Sequence, residues 1–186
     1  ISVGTDSKYY IEQGGAYNDI TPIRETTSAG DVTFAATSGS STITVTDNSH
    51  GAIAGDFVTF SGASSLGGQI TADVLNQEYQ IHEVLTSSTY TIIAREAGTS
   101  IASITVNGEL DPVEVQADGS DTGDGGASVV GTYQISKGLN TVVAGNGWGA
   151  GTWSRGTWGS GTSTTASTDA LRIWSQDNFG EDLLLN

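Results

Sequence analysis

The sequence predicts an all-β protein, and three observations support this class. Apolar and polar residues alternate in short runs such as STITVTD (41–47), DFVTFSG (56–62) and STYTIIA (88–94), and a period of two is typical of half-buried strands. Threonine, valine, isoleucine and tyrosine fill these runs, as pleated surfaces prefer. Turn clusters, among them Gly67-Gly68, separate the runs.

The chain divides into an inserted middle and two terminal hairpins. Residues 1–27 predict a hairpin, because KYYIEQGGAYNDITPIR (8–24) places a strand on each side of Gly14-Gly15. Residues 28–108 carry evenly spaced strand patterns and predict a small antiparallel barrel or sandwich. Within this region, 71–85 has some helical spacing, but its flanking strand pattern favours β structure. We therefore expect a small β domain after the first hairpin.

The second half of the chain is predicted in three parts. Residues 109–128 are irregular and acidic, ending in ADGSDTGDGGA, which is typical of a linker. Residues 129–165 predict a second β segment that begins with VVGTYQIS and ends in a glycine- and tryptophan-rich arm. Residues 166–186 predict another hairpin, with a turn near Asp177-Asn178. Both terminal hairpins indicate that the chain derives from a larger β structure.

Composition restricts the function. Six basic residues against 21 acidic ones give a formal net charge of −15, which disfavours a surface that grips nucleic acid phosphates. A negatively charged surface can still lie beside DNA, because it repels the duplex and lets it move past without binding. The 186 residues contain no cysteine and no methionine, so thiol chemistry is excluded, and we expect a fragment or a processed product. No apolar run is long enough for a membrane span.

No catalytic constellation is visible, so we do not expect an enzyme. The two histidines, His50 and His82, lie in different elements; His50 is expected to shape a strand connection and His82 to face outward. The sequence contains neither GxSxG nor a phosphate-binding GxxxxGK[ST] loop. A carboxylate pair for glycoside hydrolysis stays open, because the many acids select no particular pair.

The acidic segment contains the best metal candidate. Asp118, Asp121 and Asp124 recur at every third position among glycines, which would let carboxylates converge on calcium. The spacing does not fit the EF-hand loop or the calcium-binding nonapeptide repeat. A solvated acidic loop is the favoured interpretation, and no other cofactor is expected.

Three of the four tryptophans lie in GNGWGAGTWSRGTWGSG (145–161). Trp148, Trp153 and Trp158 recur at intervals of five, which in a straight strand places the middle one on the opposite face. These indoles, together with Arg155, are candidates for a subunit interface, since aromatic anchors concentrate there. Burial within the domain and stacking on carbohydrate are the alternatives.

Several strings resemble a known family. KYYIEQGGAYNDITPIR, STITVTDNSHGAIAGDFVTFSGA, ITADVLNQEYQI, DTGDGGASVVGTYQI, GWGAGTWSRGTWGS and LRIWSQDNFGEDLLLN occur in this order. They resemble tail nozzle or tail hub proteins of tailed bacteriophages, also called tail tubular protein B, especially those of marine short-tailed phages. The resemblance covers nearly the whole chain, although this chain stops at Asn186 where the family continues.

The resemblance implies a fold, a location and partners. Family members have a β-propeller body with inserted β domains, so the terminal hairpins would be propeller strands. A ring of six copies is implied at the distal end of the tail, beside the tail adaptor and the fibres, around the channel through which DNA leaves. The function implied is that of a virion structural protein in tail assembly and DNA ejection. The rivals are a β-sandwich module that binds host glycans and a capsid or neck component.

Overall fold

The computed structural model describes residues 1–5, 7–97 and 113–136, and further along only the strand backbones at 142–143, 166–167, 176–179 and 182–185. Nearly all regular structure in these residues is antiparallel β-sheet. The predicted all-β class is therefore confirmed. Whether the terminal hairpins belong to a propeller stays a prediction.

The first sheet has three strands and contains the predicted N-terminal hairpin. Its strands are β1 (Ser2–Gly4), β2 (Tyr9–Gln13) and β3 (Ala16–Asp19), in the order β1-β2-β3. The turn between β2 and β3 is formed by Gly14 and Gly15, whose φ angles are +63° and +85°. Two consecutive positive φ angles are what the tight hairpin turn needs, and glycine adopts them without strain.

Two four-stranded sheets form the body of the molecule. Their strands are β4 (Ile23–Thr26), β5 (Thr33–Ala36), β6 (Thr42–Thr46), β7 (Phe57–Ser61), β8 (Glu78–Gln80), β9 (Glu83–Thr86), β10 (Thr89–Ile93) and β11 (Val130–Gln134). The strand orders are β5-β6-β10-β9 and β4-β11-β7-β8. Buried side chains from both sheets form one hydrophobic cluster, and the rings of Phe34 and Phe60 meet edge to face at 5.0 Å across it. The body is therefore a small β-sandwich.

One short helix interrupts the strands. The helix α1 (Ala72–Leu75) begins after Thr71, whose side chain accepts a hydrogen bond from the backbone N–H of Val74. Val74 and Leu75 are buried in the sandwich core. The strands β8 and β9 follow the helix, so strands occupy 78–80 and 83–85 of this span, and the helical spacing is realised over one turn.

The strand β11 departs from the predicted organisation. Sequence analysis assigns it to a separate segment at 129–165, yet β11 lies in the middle of a sandwich sheet and pairs with both β4 and β7. Thr132 is aligned with Thr26 on one side and with Thr59 on the other. Pairing between strands that are far apart in the chain leaves no local signal in the sequence. The sequence pattern therefore places β11 in a different segment from β4 and β7, although the three strands share one sheet.

The described part of the predicted linker, 113–128, is also integrated into the sandwich. Residues 117–128, here called the acidic loop, exchange backbone hydrogen bonds with the turns that follow β5 and β7. The bonds include Gly39 N–H to Ala117 O at 2.8 Å, and Ser64 N–H to Gly125 O and Gly123 N–H to Leu66 O, both at 2.7 Å. The acidic composition suits a linker, but these bonds hold the loop against the body.

Two strand pairs are described near the C-terminus. The strands β12 (Val142–Val143) and β13 (Ala166–Ser167) pair with each other, as do β14 (Gln176–Phe179) and β15 (Asp182–Leu185). The second pair agrees with the predicted terminal hairpin. Its turn was expected near Asp177-Asn178, but both residues lie within β14, opposite Leu184 and Leu183. The last pair of the ladder is Phe179 with Asp182, so the chain reverses beyond Asp177-Asn178.

Candidate functional site

A buried chain of polar groups joins the two sandwich sheets. Tyr90 on β10 and Tyr133 on β11 are fully buried, and their hydroxyl oxygens are 2.8 Å apart. The Tyr133 hydroxyl donates to Asp47 Oδ2 at 2.6 Å, so the Tyr90 hydroxyl must donate to Tyr133. Burial raises the pKa of each tyrosine. Both therefore stay protonated as donors in this chain.

The carboxylate at the end of this chain is itself buried. Asp47 follows β6 and is only 5% exposed. Loss of hydration raises its pKa, and the hydrogen bond from Tyr133 only partly opposes this. The hydrogen bonds from Asp47 through Tyr133 to Tyr90 link the end of β6 and the strand β10, in one sheet, to β11 in the other.

His50 belongs to the same buried region. Its Nδ1 accepts the backbone N–H of Ala52 at 3.1 Å, and its Nε2 lies 3.1 Å from the carbonyl oxygen of Thr86. The network thus assigns the hydrogen to Nε2. The ring also packs edge to face against Tyr90 at 4.9 Å. The interpretation that His50 shapes a strand connection is confirmed, and His82 is exposed as expected.

The three candidate calcium ligands do not share one role. Asp121 is buried at 4% exposure, whereas Asp118 is partly buried and Asp124 is exposed. Asp118 accepts the backbone N–H of Ser120, and Asp124 accepts that of Gly126. Among the described residues no group of three metal-binding side chains converges. The calcium site stays a prediction that this arrangement does not favour.

Asp121 is saturated by backbone donors. Its Oδ1 accepts the N–H groups of Gly68 and Ile70, at 2.8 and 3.0 Å, and its Oδ2 accepts those of Gln69 and Asp118, at 3.0 and 2.8 Å. Burial alone would raise the pKa of this carboxyl, but the four donors outweigh it and the pKa is lowered. Asp121 therefore fastens the acidic loop to the turn before α1.

A second ionic cluster joins the first sheet to the sandwich. The Lys8 ammonium lies 2.8 Å from Asp19 Oδ2 and 2.6 Å from Glu78 Oε1. It also sits 4.4 Å from the centre of the Phe57 ring. Glu78 is on β8, and its other oxygen accepts a hydrogen bond from Gln134 on β11 at 2.9 Å. The sequence alone gives no sign of this cluster, because Glu78 is distant from Lys8 and Asp19 in the chain.

Few positive charges are accessible on the described residues. Of the basic residues in these segments, Lys8 and Arg95 are buried. Arg24 is exposed, but its guanidinium donates to the carbonyl of His50 and contacts Glu25. The exposed surface of the same segments carries the carboxylates of Glu25, Asp31, Asp73, Glu83, Glu96, Glu114 and Asp124. The accessible charge in these segments is therefore almost entirely negative.

The tryptophan candidates lie outside the described residues. Trp148, Trp153, Trp158 and Arg155 fall in 144–165, between the described strands β12 and β13. The interface, self-burial and carbohydrate hypotheses for them are open. No helix in the described segments is long and apolar enough to cross a membrane.

Among known proteins, the chain has one weak structural match to report. No family model and no curated protein matches the chain. Among solved structures the chain is similar to "Phage phi92 endosialidase", with 16% identity and a TM-score of 0.33. The match covers 72% of this chain and 18% of that protein's chain. This chain thus spans less than a fifth of the length of that protein, and a likeness of this size assigns neither fold nor function.

Proposed function

We propose that the chain is part of a virion structural protein in a bacteriophage tail, within a ring of the nozzle or hub that takes part in tail assembly and DNA ejection. The sequence resemblance is the starting point for this proposal. One observation from the described residues supports it further: two of their three basic side chains, Lys8 and Arg95, are buried, whereas many of their carboxylates are exposed. Such a surface does not hold the phosphate backbone of passing DNA.

The interior is also consistent with a structural role. The buried polar groups of the sandwich form ordered bonds between strands and loops: the Tyr90–Tyr133–Asp47 chain, His50 and Asp121. Each of these groups is engaged by the fold itself. Satisfied buried networks of this kind favour one rigid arrangement over alternatives. A rigid module with an acidic surface is suitable for a structural ring around a DNA channel.

Purified particles provide the direct experiment. Phage particles that incorporate the chain are dissociated and analysed by mass spectrometry, and intact particles are labelled with antibodies against it. We expect stoichiometric amounts of the chain and labelling at the tail. Labelling at the capsid or neck would replace the tail assignment with the rival virion location. Absence from particles would overturn the proposal.

A binding assay separates the structural role from two other functions. Fluorescence anisotropy with duplex DNA at low salt should show no binding, since salt-dependent phosphate contacts need accessible basic residues. A glycan array tests the rival binding module in parallel. Specific glycan binding that is lost on Trp153→Ala in a folded protein would favour that rival instead.

A further inference from the structure

The Lys8 ammonium is surrounded by two carboxylates and an aromatic ring. Its side chain is 9% exposed, with Asp19 Oδ2 at 2.8 Å and the two oxygens of Glu78 at 2.6 and 2.7 Å. The aromatic face of Phe57 covers it at 4.4 Å. A primary amine that is itself largely buried thus lies in contact with two carboxyl groups whose side chains are 29% and 25% exposed, and the second carboxyl can carry protons.

The other oxygen of Asp19 is held by two donors. Asp19 Oδ1 accepts the backbone N–H of Thr21 at 2.9 Å and its hydroxyl at 2.6 Å. The Thr21 oxygen accepts the backbone N–H of Tyr9 at 3.0 Å, which leaves the hydroxyl hydrogen for Asp19. Two donors fixed on one carboxyl oxygen stabilise the negative charge that develops when a nucleophile adds to the carbon.

We propose that Lys8 and Asp19 condense to an intramolecular amide, with Glu78 as the catalytic proton carrier. A proton passes from the Lys8 ammonium through Glu78 to Asp19 Oδ2. The neutral amine then attacks Asp19 Cγ, and the charge collects on Oδ1, facing Thr21. Glu78 transfers a second proton from nitrogen to Oδ2, the Cγ–Oδ2 bond breaks, and water leaves. Glu78 ends as it began, and no oxidant or external reagent is consumed.

The protonation states are compatible with a slow, single-turnover reaction. Burial would lower the pKa of Lys8 and raise that of Asp19, but their mutual hydrogen bonds outweigh burial, so the pKa of Lys8 is raised and that of Asp19 is lowered. The ion pair is the resting form. The reactive neutral pair is a minor form that arises by proton transfer within the cluster, which makes the reaction slow.

Intact mass spectrometry of the purified full chain tests the proposal. Wild type should lose one water relative to its sequence mass during incubation, and a proteolytic digest should contain a branched peptide that joins Lys8 to Asp19. Lys8→Arg keeps the charge without an amine nucleophile, and Glu78→Gln removes the proton carrier. Both variants should retain the full mass while circular dichroism shows a folded β protein.

Aspartate-glycine pairs also lose water, so the chain requires a control for them. Asp118 and Asp124 each precede a glycine and can cyclise to a succinimide. Water loss that persists in Lys8→Arg would assign the change to such a site and overturn the proposal. An unchanged wild-type mass after long incubation would overturn it as well. So would a branched peptide in which Lys8 is joined to Glu78 instead of Asp19. The digest of wild type decides the question even if a variant fails to fold.

Discussion

Replacing Asp121 by alanine should destabilise the sandwich strongly. The substitution removes the acceptor of four backbone N–H groups and leaves them around a buried position. Hydrogen bonds to a charged acceptor contribute about 1.5 kcal/mol or more each. Partial rehydration of the freed donors reduces the total, so we expect a loss of about 3–5 kcal/mol in the free energy of unfolding.

Urea denaturation followed by circular dichroism measures this loss. Asp124→Ala is the matched control, because Asp124 lies in the same acidic loop, is exposed, and its side chain accepts a backbone hydrogen bond from Gly126. The control should lose no more than about 1 kcal/mol. The slope of the unfolding free energy against urea should be the same in both variants if the fold is retained.

The pH dependence gives the same prediction a second readout. The pKa of Asp121 is lower in the folded state than in the unfolded chain, so its contribution is complete above the unfolded value of about 3.9 and is lost as pH falls through the folded value. The difference between wild type and Asp121→Ala should therefore shrink only in strong acid. If the free energies of unfolding of wild type and Asp121→Ala differ by less than about 1 kcal/mol at neutral pH, Asp121 does not fasten the acidic loop to the sandwich.

Three further predictions use the same denaturation assay. Gly68→Ala should destabilise the fold, because an added Cβ would lie 2.2 Å from Asp118 Oδ1 and 2.9 Å from Asp121 Oδ2, and the latter oxygen is held by two backbone donors. In Gly119→Ala the added Cβ meets nothing within 4 Å, so this variant should be neutral; equal effects would contradict the reasoning. Tyr133→Phe should cost about 1–3 kcal/mol, because it leaves the buried Asp47 without its donor; unchanged stability would show that water replaces the hydroxyl. The free energy of unfolding of wild type should rise as pH falls from neutral towards about 4, because the pKa of Asp47 is higher in the folded state than in the unfolded chain. Asp47→Asn should reduce that rise. An identical pH profile in the variant would contradict the reasoning.

Local patterns in the sequence were sufficient for the strands and the first hairpin. The alternation at 41–47, 56–62 and 88–94 matches β6, β7 and β10, and Gly14-Gly15 forms the turn that it predicts. The role of His50 in a strand connection also follows from its place in a turn. These features depend on residues that are neighbours in the chain.

Features that depend on distant residues were not predictable in this way. The pairing of β11 with β4 and β7 joins segments far apart in the chain, and the bonds from Asp121 to the turn before α1 span about fifty residues. Aspartates among glycines resemble a solvated linker until the backbone donors that face them are known. The Lys8 cluster was missed for the same reason, because Glu78 is seventy residues away.

Electron microscopy of phage particles that contain the chain tests the proposed function most directly. The account predicts a closed cyclic ring of this protein at the tail, surrounding the channel, with the acidic sandwich surface free of bound DNA. Particles whose tail ring is built from other proteins, with this chain bound elsewhere or absent, would contradict it.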